Sequence, residues 1–264
     1  MRIAVDTGGT FTDCVYFSHD RLNVRKFPST PVQPGEAVLQ AVAQIAHGKQ
    51  VELRHGTTVG TNALLERKGA RVAFVTTAGF EDTIAIGRQA RPKLYDLFVT
   101  KEAPLIPEHL RFGVHERTAC DGSILRTADP AELERLRAAI LAERTESIAV
   151  SLLFSFANPA NERAIVSALR DLDIPISASH EILPEFREYE RGSTVVINAY
   201  LAPLMQRYLE HLENGLRPTG SHLQVMQSSG GIVPASIAAR EPVRTILSGP
   251  AGGVIGSLAV ARSR

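Results

Sequence analysis

The chain carries almost no net charge: 29 lysines and arginines stand against 28 aspartates and glutamates, a balance of +1 over 264 residues. The basic residues are scattered among acidic ones, so there is no overall field to attract nucleic acid or an anionic membrane. Cysteine is scarce too. Cys14 and Cys120 form no CxxC pair and stand beside no metal-spaced histidines, which argues against a disulfide framework or thiolate metal site and leads us to expect reduced thiols in a cytoplasmic protein. No long apolar run is present. The N-terminus, MRIAVDTGG, passes from one arginine to a polar turn, without the apolar segment of a signal peptide, and nothing later approaches membrane-spanning length. The common nucleotide motifs are missing: there is no GxxxxGK[ST], and no GxGxxG follows a strand. Internal repeats and low-complexity tracts are absent as well. What remains is a globular composition, 44% hydrophobic and 22% charged, enough to build one large domain or two of ordinary size.

Residues 3–5 and 14–17 read as short strands joined by a glycine turn, and 22–27 alternates like a third, which predicts an antiparallel meander. Pro34 suits the first turn of a helix that places Ala37, Val38, Ala41, Val42 and Ile45 on one face and stops at Gly48. Residues 51–54 form a short strand leading into HGTTVGTNALLERKGA, a Thr-rich turn followed by a helix expected to end at Gly69. A buried strand is predicted at 71–76 and a helical turn at 78–86, while 87–128 reads as an irregular excursion. Asp129, Pro130 and Glu132 make a capping-box start for a helix. A strand at 147–154, a helix opened by Asn158-Pro159 and a strand at 174–179 form an alternation that indicates parallel pairing. A long helix over 188–212, a strand at 223–227 and helical segments over 235–261 complete the chain.

The stretch AVDTGGTFTDCVYF, residues 4–17, concentrates two carboxylates, two glycines and three threonines around one turn. Without Cβ atoms at Gly8 and Gly9, backbone N–H groups can approach an anion closely. Asp6 can face a hydrated Mg²⁺, which takes a carboxylate together with waters and phosphate oxygens. Thr10 and Thr12 add hydroxyls, and Asp13 a second carboxylate. The alternative is an ordinary hairpin whose Asp and Gly serve turn geometry. An aspartic-protease strand-turn also reads apolar-apolar-Asp-Thr-Gly. That site needs two such carboxylates sharing a proton, whereas this chain has one DTG followed by alternating helices and strands.

In HGTTVGTN, residues 55–62, a strand hands over to a helix N-terminus, a place that favours anions or polarised carbonyls. Capping by Thr57 or Thr58 explains one threonine of the cluster, and His55 taken alone is more often a structural histidine than a catalyst. Arg88 and Arg91 could clamp a phosphate or carboxylate, or lie in a solvated loop. SGPAGGVIGS, residues 248–257, offers glycines either for phosphate approach at a helix start or for close helix packing.

Together these segments resemble the hydantoinase A and 5-oxoprolinase family, which includes acetone and acetophenone carboxylase subunits. The resemblance rests on VDTGGTFTD, on HGTTVGTNALLERKGARVAFVTTAGFEDTIAIGRQARPKLYDL, on EYERGSTVVINAYLAP and on QSSGGIVPASIAAREPVRTILSGPAGGVIGS, in that order along the chain. It implies an α/β ATPase fold of the actin, Hsp70 and sugar-kinase kind (ribonuclease H-like), here its N-terminal portion, with a mixed sheet, flanking helices and the glycine turn as first phosphate loop. The resemblance further implies ATP and Mg²⁺ as cofactors. Asp6, Gly8, Gly9, Thr10, Thr12, Asp13, Gly249, Gly252 and Gly253 would bind Mg-nucleotide, with Asp6 and Asp13 at the metal. His55, Thr57, Thr58, Asn62 and Arg88 would contact substrate or the γ-phosphate. Glu188, Glu190, Arg191 and Asn198 fall in a matching segment without an assignable role.

Family members use ATP to activate a poor electrophile. Phosphorylating an amide oxygen removes the resonance that protects a cyclic amide, so that water can open the ring. The expected function is ATP-dependent hydrolysis of a hydantoin- or 5-oxoproline-type cyclic amide. A ketone carboxylase subunit shares every motif seen here, and a non-catalytic assembly domain is the alternative of another class. The expected partners are a small cyclic amide and a second, hydantoinase B-like subunit or domain, giving a hetero-oligomer, with no nucleic acid or membrane. The expected domains are 1–180, with the first phosphate loop, and 181–264. Family proteins continue into a second Asp-Gly-Gly-Thr loop and an adenosine pocket, and this sequence stops at Arg264 before either, so we expect a piece of a longer enzyme that by itself binds nucleotide poorly.

Overall fold

The computed structural model describes residues 1–262 apart from 20, 31, 91–92, 94 and 100–101. The chain divides into two compact units, Met1–Lys68 with Leu204–Arg264, and Gly69–Pro203. This is a division by packing, different in kind from the sequence domains 1–180 and 181–264, and in it the chain leaves its first unit and later returns to it.

The first unit opens with β1 (Arg2–Thr7), β2 (Phe11–Ser18) and β3 (Arg21–Pro28), paired antiparallel as the expected meander. Along β1 the alternation is strict: Ile3, Val5 and Thr7 are buried, while Arg2, Ala4 and Asp6 lie on the other face. Helix α1 (Pro34–Ala46) buries Ala37, Val38, Ala41, Val42 and Ile45, and it ends at His47 in the left-handed region, with Gly48 next at φ +79°. Strand β4 (Glu52–Thr57) lies parallel to β1. Helix α2 (Val59–Leu65) stops short of the expected Gly69, because Arg67 takes φ +54° and ends the helical run.

In the second unit β5 (Val72–Thr77) is buried along its whole length, as a strand covered on both faces must be. Helix α3 (Thr83–Ile86) is a single turn. The region expected to be irregular contains a strand, β6 (Arg111–Val114), parallel to β5, and a small antiparallel ribbon of β7 (Arg117–Thr118) and β8 (Ile124–Arg126). These pieces are too short to carry a readable period, and sheet pairing rather than local pattern defines them. Helix α4 (Pro130–Ala142) starts as expected, with the Asp129 carboxylate accepting from the Ala131 N–H. Glu132 does not close the capping box; its Oε1 instead accepts from the backbone and the ring of His115.

Strand β9 (Ser147–Ser151), helix α5 (Ala160–Leu169) and β10 (Ile176–Ala178) form the expected parallel unit. The four-stranded sheet runs β10-β9-β5-β6. Its core combines Ala73, Val75, Ile148 and Val150 with Leu133, Leu136 and Ile140 of α4 and Ile165 of α5. After the one-turn α6 (Ser179–Ile182), α7 (Glu188–Leu216) begins in this unit and ends in the first.

Back in the first unit, β11 (His222–Met226) pairs parallel to β4, and β12 (Ile232–Pro234) pairs antiparallel to β11. The six-stranded mixed sheet therefore reads β12-β11-β4-β1-β2-β3. Helices α8 (Ala235–Arg240) and α9 (Ser248–Arg262) follow. No helix among the described residues is long and apolar enough to cross a membrane.

Candidate functional site

The turn between β1 and β2 is held from below by a residue the sequence reading missed. Ser29, just after β3, donates through Oγ to the Gly8 carbonyl at 2.8 Å and through its N–H to the Thr10 carbonyl at 2.9 Å. Gly8 N–H donates to Phe11 O at 2.9 Å. At Gly9 an added Cβ would meet nothing within 4 Å, and the residue does not occupy the left-handed region. No contact among the described residues therefore demands glycine there, and the space above it is open to a ligand.

Asp6 stands opposite Asp13 across the antiparallel pair and opposite Gly56 across the parallel pair. A Cβ on Gly56 would fall 2.8 Å from Asp6 Oδ1, and one on Gly249, in the first turn of α9, 3.9 Å from both carboxylate oxygens. The Asp6 carboxylate thus lies beside bare backbone from two other segments. Hydrogen bonds link the three segments in series: Thr58 Oγ1 donates to Thr7 O at 2.9 Å, and at the start of α9 Leu247 N–H donates to Thr61 Oγ1 at 3.3 Å and Ser248 Oγ to Thr57 O at 3.4 Å. VDTGGTFTD, HGTTVGTN and SGPAGG, far apart in sequence, converge here.

Partial burial, and then the like charge of Asp13, raise the pKa of Asp6 above its ordinary value. Asp13 is itself 3.5 Å from Lys26 Nζ. Among the described residues no group of three or more His, Cys, Asp and Glu could hold a metal ion by itself. Two carboxylates above exposed glycine backbone fit a different site, a hydrated Mg²⁺ that completes its shell with water and ligand oxygens.

Other expected site residues lie elsewhere. His55 is fully buried, with Nε2 2.7 Å from Tyr208 Oη and Nδ1 3.3 Å from Val5 O. Burial pushes its pKa down to about 4, so it is a neutral core imidazole rather than a group presented to substrate. Thr57 is buried as well, its Oγ1 accepting from the Val59 N–H at the start of α2. Thr12 points into the core, 3.0 Å from Ser29 Oγ, and so braces the turn instead of facing a phosphate.

Gly252 packs against Met226, where a Cβ would fall 2.7 Å from the sulfur, whereas Gly253 faces open space. Thr10 and Asn62 are exposed. Arg88, in the second unit, forms an exposed ion pair with Glu190. Arg91 lies outside the described residues. Tyr208, which the sequence reading passed over, is the buried partner of His55. Burial raises its pKa to about 12, against the hydroxyls of Thr57 and Thr7.

In the segment without an assignable role, Arg191 and Asn198 are held by hydrogen bonds within the fold. Arg191 is fully buried and donates to Leu152 O at 2.7 Å, Glu185 O at 2.9 Å and Ser179 Oγ at 3.2 Å, while also pairing with Glu188. Asn198 donates to Ser177 Oγ at 3.0 Å. Nearby, the buried Glu162 accepts from Leu152 N, Ser179 Oγ, His180 N and His180 Nδ1. Together these bonds pin the carboxyl end of β9.

A mixed α/β fold with a glycine-walled carboxylate pair is the class of structure defined here. The hydantoinase/oxoprolinase N-terminal region matches residues 2–172 and the hydantoinase/oxoprolinase domain residues 191–264; the chain belongs to this family. It is 41% identical over 265 residues to an uncharacterized protein of Methanocaldococcus jannaschii, covering 96% of this chain and 39% of that one. It is 33% identical over 278 residues to the caprolactamase subunit alpha of Pseudomonas jessenii, covering 99% and 40%. The crystal structure of that ATP-dependent caprolactamase superposes with a TM-score of 0.86 over 100% of this chain and 40% of the other, at 31% identity. Nucleotide-free acetone carboxylase, from work on ATP-dependent acetone carboxylation, gives a TM-score of 0.87 at 27% identity, covering 100% and 41%. The chain spans about two fifths of the length of these relatives. The family thus holds both ATP-dependent amide hydrolases and ATP-dependent carboxylases.

Proposed function

We propose that this chain is the nucleotide-binding part of an ATP-dependent cyclic amide hydrolase, with an actin-like ATPase fold and a partner subunit or domain of the hydantoinase B kind. The observation that carries the reading is the convergence on Asp6. Three glycine-bearing segments meet at one carboxylate, and an open glycine, Gly9, stands at the tip of the adjoining turn. In this reading the amides of Gly8 and Gly9 receive phosphate, and Asp6 with Asp13 faces the waters of Mg²⁺. Gly249 and Gly253 keep the opposite wall bare, with Thr58 and Asn62 at its side. Bound Mg-ATP supplies the phosphoryl group that activates the amide oxygen. Identity is 33% to the caprolactamase subunit alpha and 34% to the acetophenone carboxylase gamma subunit, so the ketone reaction is the alternative that the assay below separates.

A titration of the chain with Mg-ATP, followed by NMR, tests the nucleotide assignment. Weak binding is expected, in the millimolar range, on the order of 4 kcal/mol. It should require Mg²⁺ and vanish in Asp6→Asn and in Gly9→Val while both variants keep the parent's melting temperature. Binding that survives both substitutions, or no binding at all, overturns it in favour of an assembly domain. In an assembled enzyme, ADP release driven by a hydantoin or 5-oxoproline supports the amide reading, and release driven only by a ketone with bicarbonate overturns it.

A further inference from the structure

Strand β3 closes one end of the six-stranded sheet, and among the described residues no strand pairs with its outer side. The Ser29 N–H donates inward to Thr10 O, and an antiparallel ladder alternates, so the N–H and C=O groups of Leu22, Val24 and Lys26 point away from β2. Natural sheets shield such an edge with short strands, bulges, an overlying element or charge. This strand has eight residues in continuous register with β2 and reaches its first proline only at Pro28, so charge is the one device it has.

The side chains at the edge divide by face. Phe17 stands opposite Leu22 and Val15 opposite Val24, which puts all four on one face of the sheet. Phe17, Leu22 and Val24 are 66%, 59% and 66% exposed. An edge that only needed guarding would have no use for them. Arg21 and Arg25 lie on the other face, both exposed. Lys26 has Asp13 at 3.5 Å, but neither arginine has an acidic partner among the described residues. Strand β3 itself contains no acid. A second copy of this chain is therefore a poor occupant, because pairing β3 with itself would gather six basic side chains from the two strands and no carboxylate. Phe17 is four residues along β2 from Asp13, about 13 Å, which keeps this edge apart from the Asp6 wall.

We infer that the free edge of β3 takes up an extended segment of a partner protein in which acidic and apolar residues alternate, as a seventh strand of the sheet. Its backbone pairs with Leu22, Val24 and Lys26, its apolar side chains continue the surface of Phe17, Leu22 and Val24, and its carboxylates face Arg21 and Arg25. The inference uses neither the nucleotide nor the amide reading.

An NMR titration of the chain, without nucleotide, tests it with three nine-residue peptides: EVEVEVEVE, KVKVKVKVK, and EEEEEVVVV, which has the composition of the first without its alternation. The alternating acidic peptide should bind and shift the amide signals of Leu22, Val24 and Lys26, with the other two at least about tenfold weaker. Arg21→Glu combined with Arg25→Glu should weaken the acidic peptide about tenfold and let the lysine peptide bind in its place. Val24→Pro removes an outward N–H that nothing in the fold uses, and it should abolish binding with little change in melting temperature. If that variant loses its fold, the charge reversal decides by itself. Binding of no peptide, binding of the lysine or block peptide as tightly as the acidic one, or shifts confined to other parts of the chain overturns the inference. Shifts at β3 that grow with protein concentration alone overturn it in favour of a second copy.

Discussion

Asp6 and His55 are nearly neighbours in space, one register step apart across β1 and β4, yet burial acts on them in opposite ways. Burial and Asp13 raise the pKa of Asp6 above its ordinary value of 3.8, so the fold favours the protonated acid. Its ionisation costs stability as pH rises from that value through the raised one. Asp6→Asn removes the charge, and the variant should melt at or slightly above the parent temperature at pH 7, with the gap closing near the ordinary carboxyl pKa. A clear loss of stability at pH 7 would show that the carboxylate holds the turn together. His55 is the reverse case. Its pKa falls from 6.5 to about 4, so its stabilising contribution is complete above pH 6.5 and is lost as pH drops toward 4, on the order of 3 kcal/mol. Urea midpoints measured across that window should fall steeply in the parent and less steeply in His55→Leu. That variant should start lower at pH 7.5, because Tyr208 Oη and Val5 O lose their partner.

Helix α7 shows that two arginine-carboxylate pairs can be alike in sequence and unlike in weight. Arg191 is sealed against the end of β9 and satisfies two backbone carbonyls, whereas Arg88 meets Glu190 at the surface. Arg191→Met strands buried acceptors and should cost about 3–5 kcal/mol. Arg88→Met should cost under about 1 kcal/mol. Calorimetric melting of the two variants separates them, and comparable losses would contradict the structural role assigned to Arg191. Element starts were mostly legible: Pro34 and the Asp129-Pro130 pair stand where α1 and α4 begin, since capping and proline geometry act within a few residues. Strand β6 and the diversion of Glu132 to His115 were not legible, because both depend on groups brought in from elsewhere in the fold.

At the scale of the whole molecule the notable surface is α9. Its N-terminal end lies against the sheet at Gly249 and Gly252, but Val254, Ile255 and Leu258, which share one side of the helix, are exposed. An apolar helix face of this kind favours association. Sedimentation should show the chain self-associating with concentration, and Val254→Lys with Leu258→Lys should return it to monomer. A parent chain that stays monomeric at high concentration would contradict this.

The sequence by itself determined the family, because the paired glycines, Asp6 and the Thr-rich turn are contiguous motifs legible in the linear order. It also determined the meander, through strands joined by short turns, and the parallel unit of the second sheet, through the strand-helix-strand order. Only the tertiary structure decided which motif residues face outward. Thr12, His55 and Thr57 sit in the same motifs as Gly9, Asp6 and Thr58, yet strand alternation turns the first three into the core. The convergence of Gly249 on Asp6 and the bracing of the turn by Ser29 likewise had no counterpart in the linear order. Each depends on contacts between residues far apart in sequence, and only the pairing of strands and the packing of helices creates them.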